Sequence, residues 1–531
     1  MLKIKQIITL VLVSVLLFSC QKDFERPNWD VDMLAPLVKT SLNLNHILSD
    51  SVLITNPDTS LKIVYKESIF DVGVDSLFKI PDTTITNIYT IPVTSVAQPG
   101  SSFYSEAKEY TLNITNNVGL NYAIVESGFI EVEILSEIQE NVEVTYIIPS
   151  AIKNGDTLRL TETILAGSPG NPSSLKKKID MSGYELDLTG ISKTQINTLV
   201  TRAVGTVDSN AAGPVTLNFG DQILFNNTLI DIVPYFVRGY FGNQILNYKD
   251  TAEIDMLSKI SGGLDLDEVN LDIEFNNGIG VDAQVVLNEF TTQNTSTTNT
   301  ASLTHSILGT PININRSTLT HTIPEVNYQN YNIAINTNNS NIDNLIELIP
   351  NQLIYNVDLN VNPLGNISGG NDFVFKDHVL ETNLKVEFPL SLIASNLALQ
   401  DTMDFSLPDK SETGRIIDGT LFLYADNGFP FDANIQLAMY DEYDNYIQTL
   451  NVQHQILAAP VDGNLRVTNK KQSVLSIPLN TADVDNLYRA NKLLFTIAFT
   501  TQPQSQFIKL YDGYEIDIQV VGDFSYNVDL K

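Results

Sequence analysis

The sequence predicts a mainly β fold, built as tandem β-sandwich-like modules with a few short helices. Two observations carry that prediction. Most of the chain reads as short alternating apolar runs separated by Asn, Gly, Asp and Pro, the pattern of antiparallel strands joined by turns. In addition, one stretch recurs at a fixed offset. Asn276-Asn277-Gly278-Ile279-Gly280-Val281-Asp282-Ala283 aligns with Asp426-Asn427-Gly428-Phe429-Pro430-Phe431-Asp432-Ala433, 150 residues later. Each copy follows an alternating strand and precedes another apolar run. Farther on, each is followed by a related quartet, Ile342-Asp343-Asn344-Leu345 and then Val484-Asp485-Asn486-Leu487. At 531 residues the chain is too long for one core, and with 43% hydrophobic residues it can bury several.

In chain order, Lys3 and Lys5 precede an apolar run from Ile7 to Phe18 broken only by Thr9 and Ser14. The run lacks the polar face of an amphipathic helix and falls short of the roughly 20 apolar residues a permanent span needs. Residues 1–19 therefore read as a signal peptide. Residues 20–27 read as a tether, and Trp29, Leu34 and Leu37 as anchors pinning the start of the chain to the first module. The modules are expected at 28–215, 216–365 and 366–531. In the first, Ile130-Glu131-Val132-Glu133-Ile134 and Val142-Glu143-Val144-Thr145-Tyr146 alternate as strands, and Ser192 through Val204 reads as a helix. A fainter first copy of the repeat starts at Asn116-Asn117-Val118-Gly119 and ends with that helix.

In the second module, Asp250-Thr251-Ala252-Glu253 has a capping-box pattern ahead of Ile254, Met256, Leu257 and Ile260, which predicts a helix. Thr291–Ser302 lacks apolar periodicity and reads as a loop or long hairpin tip. Ser340 is placed to cap a helix over Asn341–Ile349, ended by Pro350. In the third module Leu384, Val386, Phe388 and Leu390 alternate, Thr481 is placed to cap Ala482–Asn491, and Asp512-Gly513 predicts a tight hairpin turn.

The residues before the tether resemble a known address. Leu17-Phe18-Ser19-Cys20 resembles the lipobox of bacterial lipoproteins, and Cys20 is the only cysteine, so it has no intramolecular disulfide partner. The resemblance implies a lipidated Cys20 whose two or three acyl chains hold the protein stably in a membrane. Gln21, Lys22, Asp23 and Glu25, interrupted by Phe24, resemble the acidic export tag of surface lipoproteins in Bacteroidota. Pro27-Asn28-Trp29-Asp30-Val31-Asp32-Met33-Leu34-Ala35-Pro36-Leu37 resembles the opening of large, functionally uncharacterised β-rich lipoproteins from the same group. These resemblances imply an outer-membrane location, lipid-anchored and facing the cell exterior.

Charge narrows the partners. Without Lys3 and Lys5 the 31 basic residues become 29, against 62 acidic ones, a formal −33. No basic cluster exceeds Lys176-Lys177-Lys178, so the sequence offers nothing to displace counterions from nucleic acid.

Catalytic signatures are absent from the sequence. The five histidines show no i, i+4 zinc pair, and no Gly-x-Ser-x-Gly elbow, phosphate loop or dinucleotide fingerprint occurs. The reading is therefore no enzyme, no catalytic residue, no cofactor and no metal. At the Asn-Asn-Gly and Asp-Asn-Gly sites calcium is the alternative to a turn whose glycine supplies positive φ, but neither copy continues into a calcium loop ending in Glu. Tyr440, Tyr443 and Tyr446, with Tyr235 and Tyr240, are the candidate binding surface, offering flat rings beside polar groups. The expected function is an accessory or binding subunit of an envelope complex with an outer-membrane protein partner. Glycan binding or degradation is the alternative, and a hydrophobic, lipid-carrying cleft in the β modules is a weaker third.

Overall fold

The computed structural model describes residues 28–44, 52–257, 260–320, 325–407, 414–450, 452–502 and 504–529. The protein is 62% strand and 4% helix. It divides into two compact units, each drawn from separated stretches. Unit 1 comprises residues 1–62, 256–267 and 389–531, and unit 2 residues 63–255 and 268–388.

Each unit contains the same two-sheet arrangement. In unit 2 one sheet runs in the order Leu61–Val72, Leu380–Pro389, Asn270–Asn277, Gln329–Asn336, and a second runs Gln244–Glu253, Gln352–Val361, Ala283–Asn294. In unit 1 the orders are Asn28–Asn43, Glu515–Asp529, Gly414–Asn427, Lys471–Leu479 and then Ser391–Asp404, Lys492–Thr501, Phe431–Tyr440. Over these shared strands the two match in sheet order and in chain order, while Leu53–Thr55, Ile260–Leu266, Asn299–Ser302 and Tyr446–Leu450 add further strands at the sheet edges. The helices also match, since Ile342–Glu347 and Thr481–Leu487 each precede the central strand of the second sheet. Alternating burial builds the cores. Leu271, Ile273 and Phe275 face inward on one repeated strand, and Leu421, Leu423 and Ala425 on the other.

The repeated turn shows why these residues recur. Asn277 and Asn427 are both fully buried at a strand end. The Asn277 carboxamide accepts the Ile279 N–H (2.9 Å) and donates to Asn315 O (2.7 Å). Asn427 accepts the Phe429 N–H and donates to Phe431 O and Leu457 O, all at 2.9 Å. Each side chain thus satisfies backbone groups that the turn leaves buried. The glycine that follows is not in the positive-φ region, contrary to the sequence reading. It is needed for close approach instead: a Cβ on Gly278 would lie 2.9 Å from Val379 O, and one on Gly428 would lie 2.6 Å from Glu515 O.

The third substructure is a nearly closed, barrel-like sheet of ten strands within unit 2. Its long strands are Gly119–Ser136 and Gln222–Tyr240, and the remainder include Thr83–Thr90, Ser102–Thr111, Val142–Lys153, Asp156–Ile164, Ser173–Asp180 and Thr198–Val207. Tyr89 and Tyr104, on strands with no pairing to each other, bring their rings to 3.9 Å between centroids, which draws the edges together. Val132, Ile134, Val144, Tyr146 and Phe225 fill the interior.

Insertion relates the pieces. The barrel-like segment lies between Leu61–Val72 and Gln244–Glu253, the first and second strands of the unit 2 sandwich. Almost all of unit 2 lies between Asn28–Asn43 and Ser391–Asp404, the corresponding strands of the unit 1 sandwich. The same connection of one topology therefore carries an insertion twice.

Several expected elements differ. Asp250-Thr251-Ala252-Glu253 ends the strand Gln244–Glu253, because ladder pairing to Gln352–Val361 overrides a local capping pattern. The region 192–204 is a turn leading into the strand Thr198–Val207, with Lys193 and Asn197 at positive φ; its β-branched residues pair with strands on both sides. The fainter first copy therefore loses its helix. The helix over 341–349 is present as Ile342–Glu347, and that over 482–491 as Thr481–Leu487, with Asn480 rather than Thr481 as the cap, in a capping box with Asp483. Thr291–Ser302 forms a hairpin tip between Ala283–Asn294 and Asn299–Ser302. Asp512-Gly513 makes a turn with Gly513 at φ 84°, but its flanking strands pair elsewhere and form no hairpin. The strand Asn28–Asn43 pairs with Glu515–Asp529, so the start of the chain docks on the C-terminal strand, not on the first module. Leu34 is 73% exposed and pins nothing.

Candidate binding surface

Among the sequence-derived candidates, Tyr440, Tyr443 and Tyr446 come together on one hairpin of unit 1. Phe431–Tyr440 and Tyr446–Leu450 pair with Tyr440 opposite Tyr446, and the two rings meet edge to face at 6.0 Å. Tyr443 and Tyr446 are 76% and 60% exposed, while Tyr440 is half-buried. Exposed rings held by backbone pairing lose little conformational freedom on contact with a partner.

The tip is organised by Asp441. Its Oδ1 accepts the N–H groups of Tyr443 (2.9 Å) and Asn445 (2.8 Å), and its Oδ2 accepts the Asn445 side-chain amide (3.0 Å). These bonds, the Asn445 side chain foremost, hold the Asp441 carboxyl below the usual carboxylate range. Asp444 sits at φ 62°, a conformation Asp tolerates, and its carboxylate meets Lys492 Nζ at 2.5 Å. Behind the tip, Gln448 bonds Asp483 (2.7 Å) and Asn486 (2.6 Å), tying the second strand to the helix Thr481–Leu487. The result is a firm loop presenting two tyrosines among carboxylates.

Tyr235 and Tyr240 do not join this surface. Both are half-buried on the strand Gln222–Tyr240, and Tyr235 packs edge to face on Phe375 at 5.9 Å. Phe236, Phe373 and Phe375 form the small core beside it. Strand packing accounts for that cluster.

Other chemistry-bearing groups have structural partners. Asp372 is fully buried, bonded to Arg316 Nη2 (3.0 Å) and to the Asn362 amide (3.0 Å). Desolvation pushes its carboxyl above the usual range despite the guanidinium. Arg316 also reaches Asp282 and the carbonyl of Gly280, so it clasps the repeated turn from outside. The sequence shows no spacing that would pair Arg316 with Asp372. Inside the barrel, Tyr146 has its hydroxyl pushed up by burial, and Asn227 leaves both amide atoms without a protein partner.

Among the described residues, one open cleft and one enclosed cavity bear on ligand binding. Asp32, Asp418 and Asp523 line an open depression of about 570 Å³ together with Thr420, Asn480 and Ser525. Among the described residues no group of three or more His, Cys, Asp or Glu side chains is placed to hold a metal ion. Between the sheets of the unit 2 sandwich the apolar cavity lined by Phe70, Phe275, Phe290 and Tyr355 is about 20 Å³, room for about one water and not for an acyl chain. His305 caps its own turn, accepting the Ile307 N–H, and His378 bonds the Tyr328 hydroxyl at 2.8 Å. Cys20, Gln21, Lys22, Asp23 and Glu25 lie outside the described residues, as does the side chain of Trp29. Among the described residues no helix is long and apolar enough to cross a membrane.

No family model matches the chain. No curated protein matches it. Among solved structures it is similar to a protein of Parabacteroides distasonis described as secreted, at 13% identity over 56% of this chain and 88% of that one, with a TM-score of 0.27. It is also similar to the VP2 subviral particle of infectious bursal disease virus, at 9% identity over 91% and 85% of the two chains, with a TM-score of 0.11. The T=1 particles derived from that virus give 9% identity, 91% and 83% coverage and a TM-score of 0.11. Likenesses at these scores do not establish a shared fold.

Proposed function

We propose that the protein is a non-enzymatic, lipid-anchored outer-membrane lipoprotein, facing the cell exterior, that serves as an accessory or binding subunit of an envelope complex. Support for the address comes from the basic start, the apolar run Ile7–Phe18 and the lipobox-like Leu17-Phe18-Ser19-Cys20. Support for binding comes from a single feature, the firm hairpin that exposes Tyr443 and Tyr446. Aromatic rings on a rigid scaffold are characteristic anchors of protein interfaces. The expected partner is an outer-membrane protein.

Capture of the tagged full-length protein from its native envelope, paired with protease shaving of intact cells, tests this reading. A stoichiometric outer-membrane partner and loss of the protein on shaving are expected. The Tyr443→Ala, Tyr446→Ala double variant should lose that partner while keeping its unfolding midpoint. Recovery as a lone monomer, or full protection from protease, would sink the proposal.

The same hairpin favours a second reading, because flat rings flanked by Asp441, Glu442 and Asp444 also suit sugar rings and their hydroxyls. A glycan array without hits, together with no sugar released from surface polysaccharides, would remove it.

A further inference from the structure

Three Asn-Gly pairs occur in the chain, Asn154-Gly155, Asn277-Gly278 and Asn427-Gly428. In such a pair the main-chain nitrogen of the glycine can attack the asparagine carboxamide, because glycine has no side chain to shield it. Two conditions decide whether a folded protein permits this. The carboxamide must be free to turn, and the glycine N–H must not be held by an acceptor. At the two repeated turns neither condition is met. Asn277 and Asn427 are fully buried, with their carboxamides bonded to backbone groups. Gly278 N donates to Val379 O and Gly428 N to Glu515 O, both at 2.9 Å.

Asn154-Gly155 is the opposite case. Val142–Lys153 and Asp156–Ile164 pair with Lys153 opposite Asp156, leaving Asn154 and Gly155 as the two residues of the turn. Their φ values of 53° and 87° match a tight hairpin turn with positive φ at both central positions. Both residues are exposed, and a Cβ on Gly155 would meet nothing within 4 Å. Among the described residues the Asn154 carboxamide and the Gly155 N–H have no hydrogen-bond partner. Asp156–Ile164 is paired on one side only, to Val142–Lys153, so rotation at the tip disturbs little beyond the last pair of the ladder.

We propose that Asn154 is a self-modification site at which the folded protein converts its own asparagine to aspartate and isoaspartate. Gly155 N bonds to Asn154 Cγ, its proton and the side-chain NH2 leave together as ammonia, and a cyclic succinimide forms. Water then opens the ring at either carbonyl, giving aspartate or isoaspartate at position 154. The net change is amide plus water to carboxylic acid plus ammonia, with no oxidant and no cofactor. Either product adds a negative charge to the tip. Isoaspartate also routes the main chain through the side-chain carbon and lengthens a turn whose geometry sets the register, so the pairing of Lys153 with Asp156 is the first to be lost. The reaction needs no partner and is independent of the protein's location.

Peptide mass spectrometry of the folded full-length protein, sampled over time in mildly alkaline buffer, tests it. The peptide holding Asn154 should gain the mass difference between an amide and an acid, and should separate into two products. The peptides holding Asn277 and Asn427 should convert at least about tenfold more slowly, because reaction there waits on the breaking of buried hydrogen bonds. In urea sufficient to unfold the chain, the three sites should convert at similar rates. Conversion at Asn277 or Asn427 as fast as at Asn154 in the folded protein would overturn the proposal. So would an Asn154 that stays intact in the folded protein while the unfolded chain converts, or a rate difference among the three sites that persists in urea.

Discussion

Asn277 and Asn427 do equivalent work 150 residues apart, and each does so with every polar atom of its side chain. Replacing either by Ala would strand buried backbone groups that water cannot reach. At about 1–3 kcal/mol per unsatisfied group, the loss should be about 2–4 kcal/mol for each variant, read as a lower urea midpoint. A midpoint unchanged in both variants would mean that the turn is held by something else. Asp372 supplies a second case. Asp372→Ala removes the acceptor of Arg316 and Asn362, and because Arg316 keeps some solvent exposure the cost should fall near the low end for a broken buried pair, about 3 kcal/mol. Its pH dependence has a definite sign. The folded carboxyl holds its proton above the ordinary range, so the site opposes folding increasingly as pH rises from the ordinary carboxylate pKa through the raised one, and that penalty is relieved in acid. The Ala variant should lose this acid-side relief, which stability measured in urea across acidic pH detects.

The hairpin Phe431–Leu450 illustrates what an element adds to its residues. Tyr443 and Tyr446 are exposed in the manner of many surface tyrosines, but Asp441 fixes the backbone that carries them. Its carboxyl lies below the ordinary range in the folded state, so its bonds stabilise the tip above the ordinary carboxylate pKa of about 3.9 and are lost as pH falls through the depressed value. Amide exchange at Tyr443 and Asn445 should therefore stay slow at pH 5 and accelerate in Asp441→Asn at the same pH. Equal exchange in parent and variant would show that the strands alone order the tip. Elements also account for the sequence readings that failed. Residues 250–253 and 192–204 have capping or apolar patterns suited to a helix, yet both regions feed strands whose ladders pair with segments distant along the chain. Local propensity is worth tenths of a kcal/mol per residue, and a paired, buried ladder outweighs it.

At the scale of the molecule, the notable pairing is Asn28 opposite Asp529, the two ends of the described chain. Closing a connection of that length through an unfolded segment would be slow and entropically costly. The insertion removes much of that cost once unit 2 is folded, because Leu61–Val72 and Leu380–Pro389 are neighbours in one sheet, and Leu390 N donates to Leu61 O at 2.9 Å. A folded unit 2 thereby brings the two ends of its own chain segment together. Residues 63–388 made alone should unfold cooperatively in urea, whereas deleting 515–531, the strand between Asn28–Asn43 and Gly414–Asn427, should abolish unit 1 and spare unit 2. Loss of all cooperative structure after that deletion would show that unit 2 depends on unit 1.

Alternation along strands, the Asn-Gly turns and the 150-residue repeat are written in consecutive residues, and so the sequence by itself determined the mainly β class and the kinship of the two turn sites. The exposed setting of Tyr443 and Tyr446 was foreshadowed by the polar residues between them. Tertiary structure alone decided which strands pair, which connection accepts an insertion, and that Arg316 reaches Asp372. The physical reason is the range of the interactions. A turn or an alternating strand is set by neighbours a few residues away, whereas ladder partners and buried ion pairs are chosen by total burial and hydrogen bonding across the whole chain, and no local pattern encodes that sum.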